Sequence, residues 1–231
     1  MIKVIFLDID NTLLSFSGYV REAMREGFSL FGLPEYEESF FPVFERINNG
    51  LWKQIEQGTL TFEELIKIRW NRIFRELGIS FDGVVFEDYF RKKIFDSAVP
   101  EPGAEELLQY LSRRYTLCAA SNGPFDQQIN RLRKGQMYDY FSFFFISSRL
   151  GAQKPDALFF DRCFRELREN GFPQLTPEEV MIIGDSVSAD TQGGKNYGLK
   201  TCLYRKSAAP GEKDASADHI VSSLAEVMQI L

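Results

Sequence analysis

The chain has 231 residues, 44% of them hydrophobic, and a formal net charge of −6. That is enough apolar chain for one large α/β domain, or for a domain of ~150 residues carrying an insert, and it argues against disorder. The acidic balance offers no basic stripe for a polynucleotide partner, and a lone histidine, His219, excludes a His-rich metal site built by one chain.

Three cysteines (Cys118, Cys163 and Cys202) lack CxxC spacing and read as small buried hydrophobes of a reducing compartment. No apolar run reaches the ~18 residues of a membrane span, and only Lys3 precedes the first apolar run. A soluble, cytoplasmic protein is expected, with no membrane partner.

The first element is Val4-Ile5-Phe6-Leu7, an apolar run that reads as a buried strand of a parallel sheet. It delivers Asp8 and Asp10, then a small polar turn through Asn11 and Thr12. In extended chain the two carboxylates point the same way, roughly 6.6 Å apart at ~3.3 Å per residue. Ligands in open α/β sheets bind just beyond such strand ends. Paired carboxylates repel and lose hydration there, so they suit a divalent cation or acid–base work, or they simply start a turn.

From about Ser17 to Ala98 the pattern is helical. Helices are expected over Tyr19 to Phe31, Tyr36 to Gln57 (bent near Asn49-Gly50), Thr61 to Leu77 and Asp82 to Phe95, each followed or preceded by glycine or polar breakers. Leu65, Ile66, Ile68, Trp70, Ile73, Phe74 and Leu77 recur at helical spacing, as a small bundle with its own core requires. This block, residues 16–97, reads as an inserted cap.

Pro100-Glu101-Pro102-Gly103 marks the boundary. Strands and helices then alternate, with strands expected at Thr116–Ala120, Phe143–Ile146, Val180–Ile183, Lys200–Leu203 and His219–Val221. Helices are expected over Ala104 to Arg113, Pro124 to Lys134, Pro155 to Asn170 and Ser188 to Tyr197, with one more at the C-terminus. Such alternation predicts a three-layer, Rossmann-like α/β core with a parallel sheet, made discontinuously from residues 1–15 and 98–231. The stretch Arg205 to Asp218 is expected to be an exposed connection.

Polar groups gather at the ends of these strands. Ser121-Asn122-Gly123-Pro124 joins a strand to a helix, where N–H groups can hold an anion, though taken alone a plain turn with Ser121 or Asn122 as cap fits it better. Lys154 stands immediately before Pro155 and a helix start, well placed for phosphate, or as a solvated loop lysine. Asp185 follows Ile182-Ile183-Gly184 as Asp8 follows its own strand, and Asp190 falls in the next helix's first turn, where the helix dipole alone would favour it. Arg131, Arg133 and Lys134 close a helix and read as cations favouring its dipole. The Phe40-Phe41 and Phe143-to-Phe145 runs read as core.

In that order, Asp8/Asp10, Ser121, Lys154 and Asp185/Asp190 resemble the four motifs of the haloacid dehalogenase-like phosphohydrolases, and the helical insert resembles the cap of their first subclass. The resemblance implies that Asp8 is a nucleophile forming an aspartyl-phosphate. Asp10 is then the acid for the leaving oxygen and the base for water. Ser121, Asn122 and Lys154 hold phosphate, and Mg²⁺ sits on Asp8, Asp185 and the backbone carbonyl of Asp10, supported by Asp190. Haloalkanoate dehalogenases resemble the same scaffold but lack a carboxylate at the position of Asp10, so no dehalogenation is expected.

Within the insert, Asn48-Asn49-Gly50-Leu51-Trp52, Gln57-Gly58-Thr59-Leu60-Thr61, Leu65 and Arg69 resemble the noncanonical pyrimidine 5′-nucleotidases; Trp70, and Asn196-Tyr197-Gly198 in the core, depart from the pattern. This implies a small phosphate ester as substrate, best a pyrimidine nucleoside monophosphate. Tyr19 and Trp52 are the expected platforms for the base, with Asn48 and Asn49 able to read its edge; cap-core packing is the plainer role for Trp52. A sugar-phosphate phosphatase, a phosphomutase, or an idle phosphate- or partner-binding protein stays open.

Overall fold

The computed structural model describes residues 1–209, 212 and 215–231. Strand β1 (Val4–Leu7) has all four side chains buried, as a continuous apolar run demands when both sheet faces are covered. The chain divides into two compact units, one made of residues 1–16 and 98–231, the other of Ser17–Ser97.

The second unit is built from α1 (Phe16–Leu30), whose first residue belongs to the other unit, α2 (Phe40–Glu56), α3 (Phe62–Glu76) and α4 (Gly83–Asp96). A capping box between Thr61 and Glu64 opens α3, and Asp82 caps α4 through the Val84 N–H. Helix α2 starts at Phe40 rather than Tyr36 and runs unbroken through Asn49 and Gly50. Glycine there costs the helix ~1 kcal/mol, but the stripe Phe41, Phe44, Leu51 and Ile55 is buried, and packing overrides the local preference. The unit's core is aromatic: Trp70 lies 4.3 Å from Phe86 and 5.0 Å from Phe90, ring centre to ring centre.

The first unit resumes with α5 (Ala104–Ser112), β2 (Thr116–Ser121), α6 (Phe125–Lys134), β3 (Phe143–Ile146), α7 (Ser147–Leu150) and α8 (Ala157–Glu169). It continues through β4 (Val180–Gly184), α9 (Gly193–Tyr197), β5 (Lys200–Tyr204), β6 (His219–Val221) and α10 (Leu224–Ile230). All strand pairs are parallel, in the order β3-β2-β1-β4-β5-β6. Leu107, Leu111, Leu132 and Val227 cover one face of the sheet, and Phe159, Phe160, Cys163 and Phe164 the other. This is the three-layer α/β arrangement expected from the alternation of elements. The chain leaves β1 toward β2 and β3 on one side and β4 to β6 on the other, so the crevice of the strand-order switch opens beyond Leu7.

Two local expectations change. The helix expected from Ser188 begins instead as a π-helical turn, Val187–Gln192, and becomes α-helical only at Gly193. Such widened turns gather at functional sites. In the stretch 205–218, residues 210, 211, 213 and 214 lie outside the described residues, and Ser216 is buried rather than exposed. Cys118, Cys163 and Cys202 are free and buried, and loss of hydration pushes all three thiols up, Cys202 to about 12. Among the described residues, no helix is long and apolar enough to cross a membrane.

Candidate active site

Asp8 prolongs β1 by one ladder bond, its N–H donating to the Ile183 carbonyl at 2.9 Å. Its side chain is buried against Lys154, whose Nζ donates to Asp8 Oδ1 at 2.9 Å, to the Ala120 carbonyl at 2.6 Å and to Asp190 Oδ1 at 2.5 Å. All three ammonium protons are thereby directed. Lys154 is 1% exposed, so it is no solvated loop lysine. Burial alone would lower its pKa, yet Asp190 and Asp8 outweigh that and hold it above the ordinary lysine range. Asp8 is driven the other way: burial, joined by Asp190 and Asp10, overcomes the pull of Lys154 and raises it to about 7.

The residue after β4 and the π-helical turn that follows supply the rest of the acidic cluster, Asp185 and Asp190. Oxygens of Asp8, Asp185 and Asp190 lie within 4.8 Å of one another. Asp190 is anchored by Lys154 through Oδ1 and by the Ser186 N–H through Oδ2 at 3.0 Å. Gly184 makes that possible, because a Cβ there would stand 2.2 Å from Asp190 Oδ2 and 2.4 Å from its Cγ. Asp185 keeps an edge toward solvent, and desolvation followed by Asp8, Asp190 and Asp10 raises its pKa well above the carboxylate range. Three hard oxygen donors whose negative charges are mutually destabilised fit Mg²⁺. Asp190 qualifies as a direct donor as well as a support.

Asp10 does not share this cluster's hydrogen bonds. The chain turns after Ile9, with Asn11 at φ 56°, a left-handed conformation that asparagine tolerates. Asp10, partly exposed, instead meets α6: Arg131 Nη1 donates to its Oδ1 at 2.5 Å and Gln128 Nε2 to its Oδ2 at 2.6 Å. Arg131 is 1% exposed, so the view of it as a helix-end cation is corrected: a buried guanidinium needs a partner, and Asp10 is one. Arg133 does stay at the helix end, over the Tyr138 ring at 4.6 Å.

Ser121, at the tip of β2, accepts from the Gly123 N–H at 3.1 Å and from Gln128 Nε2 at 2.7 Å. Gly123 leaves room for Gln128, since a Cβ there would lie 2.7 Å from Gln128 Nε2. Asn122 turns its side chain toward the Lys154 backbone. Its Nδ2 donates to the Lys154 carbonyl at 2.8 Å and its Oδ1 accepts from the Lys154 N–H at 2.9 Å, so the side chain holds Lys154 in place.

Gln128 and Arg131 were the functional groups sequence reasoning missed. A signal existed: Phe125, Gln128, Ile129 and Leu132 share a helical face at i, i+3, i+4, i+7, so Gln128 occupies a slot in an otherwise apolar stripe.

In the helical unit the four expected base-reading residues divide. Asn48 is buried and its Oδ1 accepts from Arg69 Nη1 at 2.9 Å, while Arg69 is bidentate to Glu87 at 3.0 and 2.5 Å. The carbonyl expected to read a base is therefore already engaged inside the bundle, a correction to that expectation. Tyr19 donates its hydroxyl to the Lys93 carbonyl at 2.5 Å. Trp52 is half-buried, 6.0 Å from the Phe62 ring, beside the small cluster of Leu51, Ile55 and Leu65. Asn49 is exposed.

Known proteins match this chain over nearly its whole length. Pyrimidine 5′-nucleotidase PynA of Streptococcus pneumoniae is 31% identical over 99% of this chain and 94% of its own length. Pyrimidine 5′-nucleotidase YjjG of Escherichia coli is 27% identical over 98% of this chain and 96% of its own. The crystal structure of HAD-hydrolase YfnB of Bacillus subtilis, bound to magnesium, superposes with a TM-score of 0.87 at 28% identity, covering 99% of this chain and 98% of that one. Residues 2–198, which carry every strand-end group described above, match the haloacid dehalogenase-like hydrolases, and the chain belongs to that family.

Proposed function

We propose that the protein is a Mg²⁺-dependent phosphomonoesterase that acts through an aspartyl-phosphate on Asp8, with a pyrimidine nucleoside 5′-monophosphate as its substrate. The observation that carries this is the placement of Asp8. It accepts from the Lys154 ammonium, as Asp190 does, and stands in the acidic cluster with Asp185 and Asp190 immediately beyond the tip of β1, where the crevice opens. Asp10, two residues on, is held by a different set of donors.

A carboxylate attacks a dianionic phosphate only where positive charge offsets the repulsion. Lys154 supplies one such charge beside the attacking oxygen. Asp8, Asp185 and Asp190 would hold Mg²⁺, which when bound adds two more charges and draws the phosphoryl oxygens toward Asp8. Ser121 has both acceptor positions engaged by Gly123 and Gln128, which leaves its hydroxyl proton to donate to a phosphoryl oxygen. Asp10 protonates the departing alkoxide and afterwards takes the proton from the water that opens the acyl-phosphate. General acid catalysis of that kind contributes ~10²–10⁴-fold.

The substrate class draws on the two relatives named as pyrimidine 5′-nucleotidases. A screen of nucleoside monophosphates, hexose phosphates and p-nitrophenyl phosphate, with Mg²⁺ and with EDTA, tests it. The expected result is metal-dependent turnover with the highest kcat/KM on dUMP or dTMP. Hexose phosphates outperforming every pyrimidine nucleotide would transfer the assignment to a sugar-phosphate phosphatase. Turnover of no ester at all would leave an idle binding protein.

A further inference from the structure

Helix α6 brings two fully buried polar side chains to the site, and neither belongs to the four strand-end motifs. Gln128 is 0% exposed and Arg131 1% exposed, one helical turn apart. Arg131 Nη1 donates to Gln128 Oε1 at 2.9 Å, which fixes the orientation of the carboxamide. Its NH₂ must then face the other way, and there it meets Ser121 Oγ at 2.7 Å and Asp10 Oδ2 at 2.6 Å. The same guanidinium nitrogen holds Asp10 Oδ1 at 2.5 Å. Ser121 ends β2, whereas Asp10 lies on the turn beyond β1, so this bridge ties together groups delivered by two different strands.

We propose that Gln128 and Arg131 are positioning residues: Arg131 orients the Gln128 carboxamide, and the pair sets the Asp10 carboxylate and the Ser121 hydroxyl relative to each other for proton transfer to the leaving group. This rests on Asp10 being the acid, as assigned above. Two observations support a built device. Gly123 leaves the space that the Gln128 carboxamide fills, since a Cβ would lie 2.7 Å from its Nε2 and 2.9 Å from its Cδ. The arrangement also dictates which way each hydroxyl or amide proton points, which a merely space-filling pair would not.

The test compares leaving groups. kcat/KM covers the steps up to formation of the aspartyl-phosphate, and an alkyl ester such as glycerol 2-phosphate needs a proton for its alkoxide, whereas p-nitrophenolate scarcely does. Gln128→Met keeps the volume, adds no charge and removes both donors. It is expected to lower kcat/KM for glycerol 2-phosphate about 10–100-fold, part of the ~10²–10⁴-fold of general acid catalysis, and that for p-nitrophenyl phosphate at least fivefold less. The loss should lie in kcat rather than KM for both esters. Arg131→Met should show the same selectivity, with Arg131→Lys recovering most of it because an amine still donates to Asp10.

Equal losses on the two esters, a loss confined to KM, or Arg131→Lys no better than Arg131→Met would each overturn the proposal. Where Arg131→Met does not fold, Gln128→Met decides. Asp10→Asn separates this inference from the one beneath it. Asp10→Asn blind to the leaving group removes the acid assignment itself, while a selective Asp10→Asn beside a blind Gln128→Met removes only the role of α6.

Discussion

Glu87→Met tests what the Asn48–Arg69 part of the insert motif is for. Arg69 and Glu87 expose 4% and 2% of their side chains, and their bidentate pair is completed by Asn48 and by the Phe90 ring 4.8 Å from the guanidinium carbon. Removing one partner from such a pair leaves a buried charge uncompensated and costs about 3–5 kcal/mol. Because Asn48 and the Phe90 face still meet the guanidinium, the lower end, about 3 kcal/mol, is expected here. The melting temperature of the insert should fall by roughly 6–24 °C, the larger figure applying if its 81 residues (17 to 97) melt alone.

Arg69→Met combined with Glu87→Met should restore stability to within about 1 kcal/mol of the parent, or exceed it, since the desolvation of both ions disappears together. Tryptophan fluorescence is a selective reporter, as Trp52 and Trp70 are the chain's two tryptophans and both lie in the insert. Asn48→Ala should lower stability by about 1.5–3 kcal/mol, the range for a hydrogen bond to a charged group, and leave the ranking of ester substrates unchanged. A Glu87→Met protein less than about 1 kcal/mol weaker than the parent, or a double variant no better than the single one, would refute this account of the network. A changed substrate ranking in Asn48→Ala would return Asn48 to the recognition set.

Asp8→Asn should abolish turnover while the fold survives, because an amide does not attack phosphorus; more than a few per cent of parental rate, with deamidation excluded by mass spectrometry, defeats the nucleophile assignment. In EDTA, Asp8 at about 7 in the folded chain against 3.8 as its ordinary value means the native state binds the extra proton between those limits. Metal-free stability should therefore fall as pH rises from about 4 to about 7, and Asp8→Asn should reduce that slope in urea melts. Trp52→Ala should reduce the preference for pyrimidine over purine monophosphates about 10–100-fold, as ~1–3 kcal/mol of lost stacking implies. A lowered melting temperature with an unaltered preference would assign Trp52 to packing alone.

The sheet was legible because its signal is local. A buried parallel strand must be apolar throughout, and Val4–Leu7, Phe143–Ile146 and His219–Val221 were bounded to the residue. Lys154 and Asp185 were legible for the same reason, each standing at a turn that its neighbours define. Partnership across the fold was not. Arg131 and Asp10 are 121 residues apart in the chain, and nothing near Arg131 distinguishes a cation serving a helix end from one sunk beneath it. Asn48 failed in the opposite sense: a polar residue in a resembling motif looked like a reader, but Arg69, 21 residues away, had already claimed its carbonyl. Both outcomes turn on burial, which local pattern reports for apolar residues far better than for polar ones.

The same distinction explains how the acidic residues of the site divide their roles. Asp10 faces Arg131, one negative charge against one positive, and that pair is balanced as it stands. Among the described residues, the cation bonded to the Asp8, Asp185 and Asp190 cluster is Lys154, three negative charges against one positive, which leaves two uncompensated beside a strand end. A surplus of two charges can be met by protons, which is what the upward shifts of Asp8 and Asp185 express, or by one divalent cation. Protonation would disable Asp8 as a nucleophile, whereas a cation would leave it ionised. Under the proposed mechanism, this difference in charge balance would make Asp8 the metal-dependent nucleophile and Asp10 the arginine-held acid.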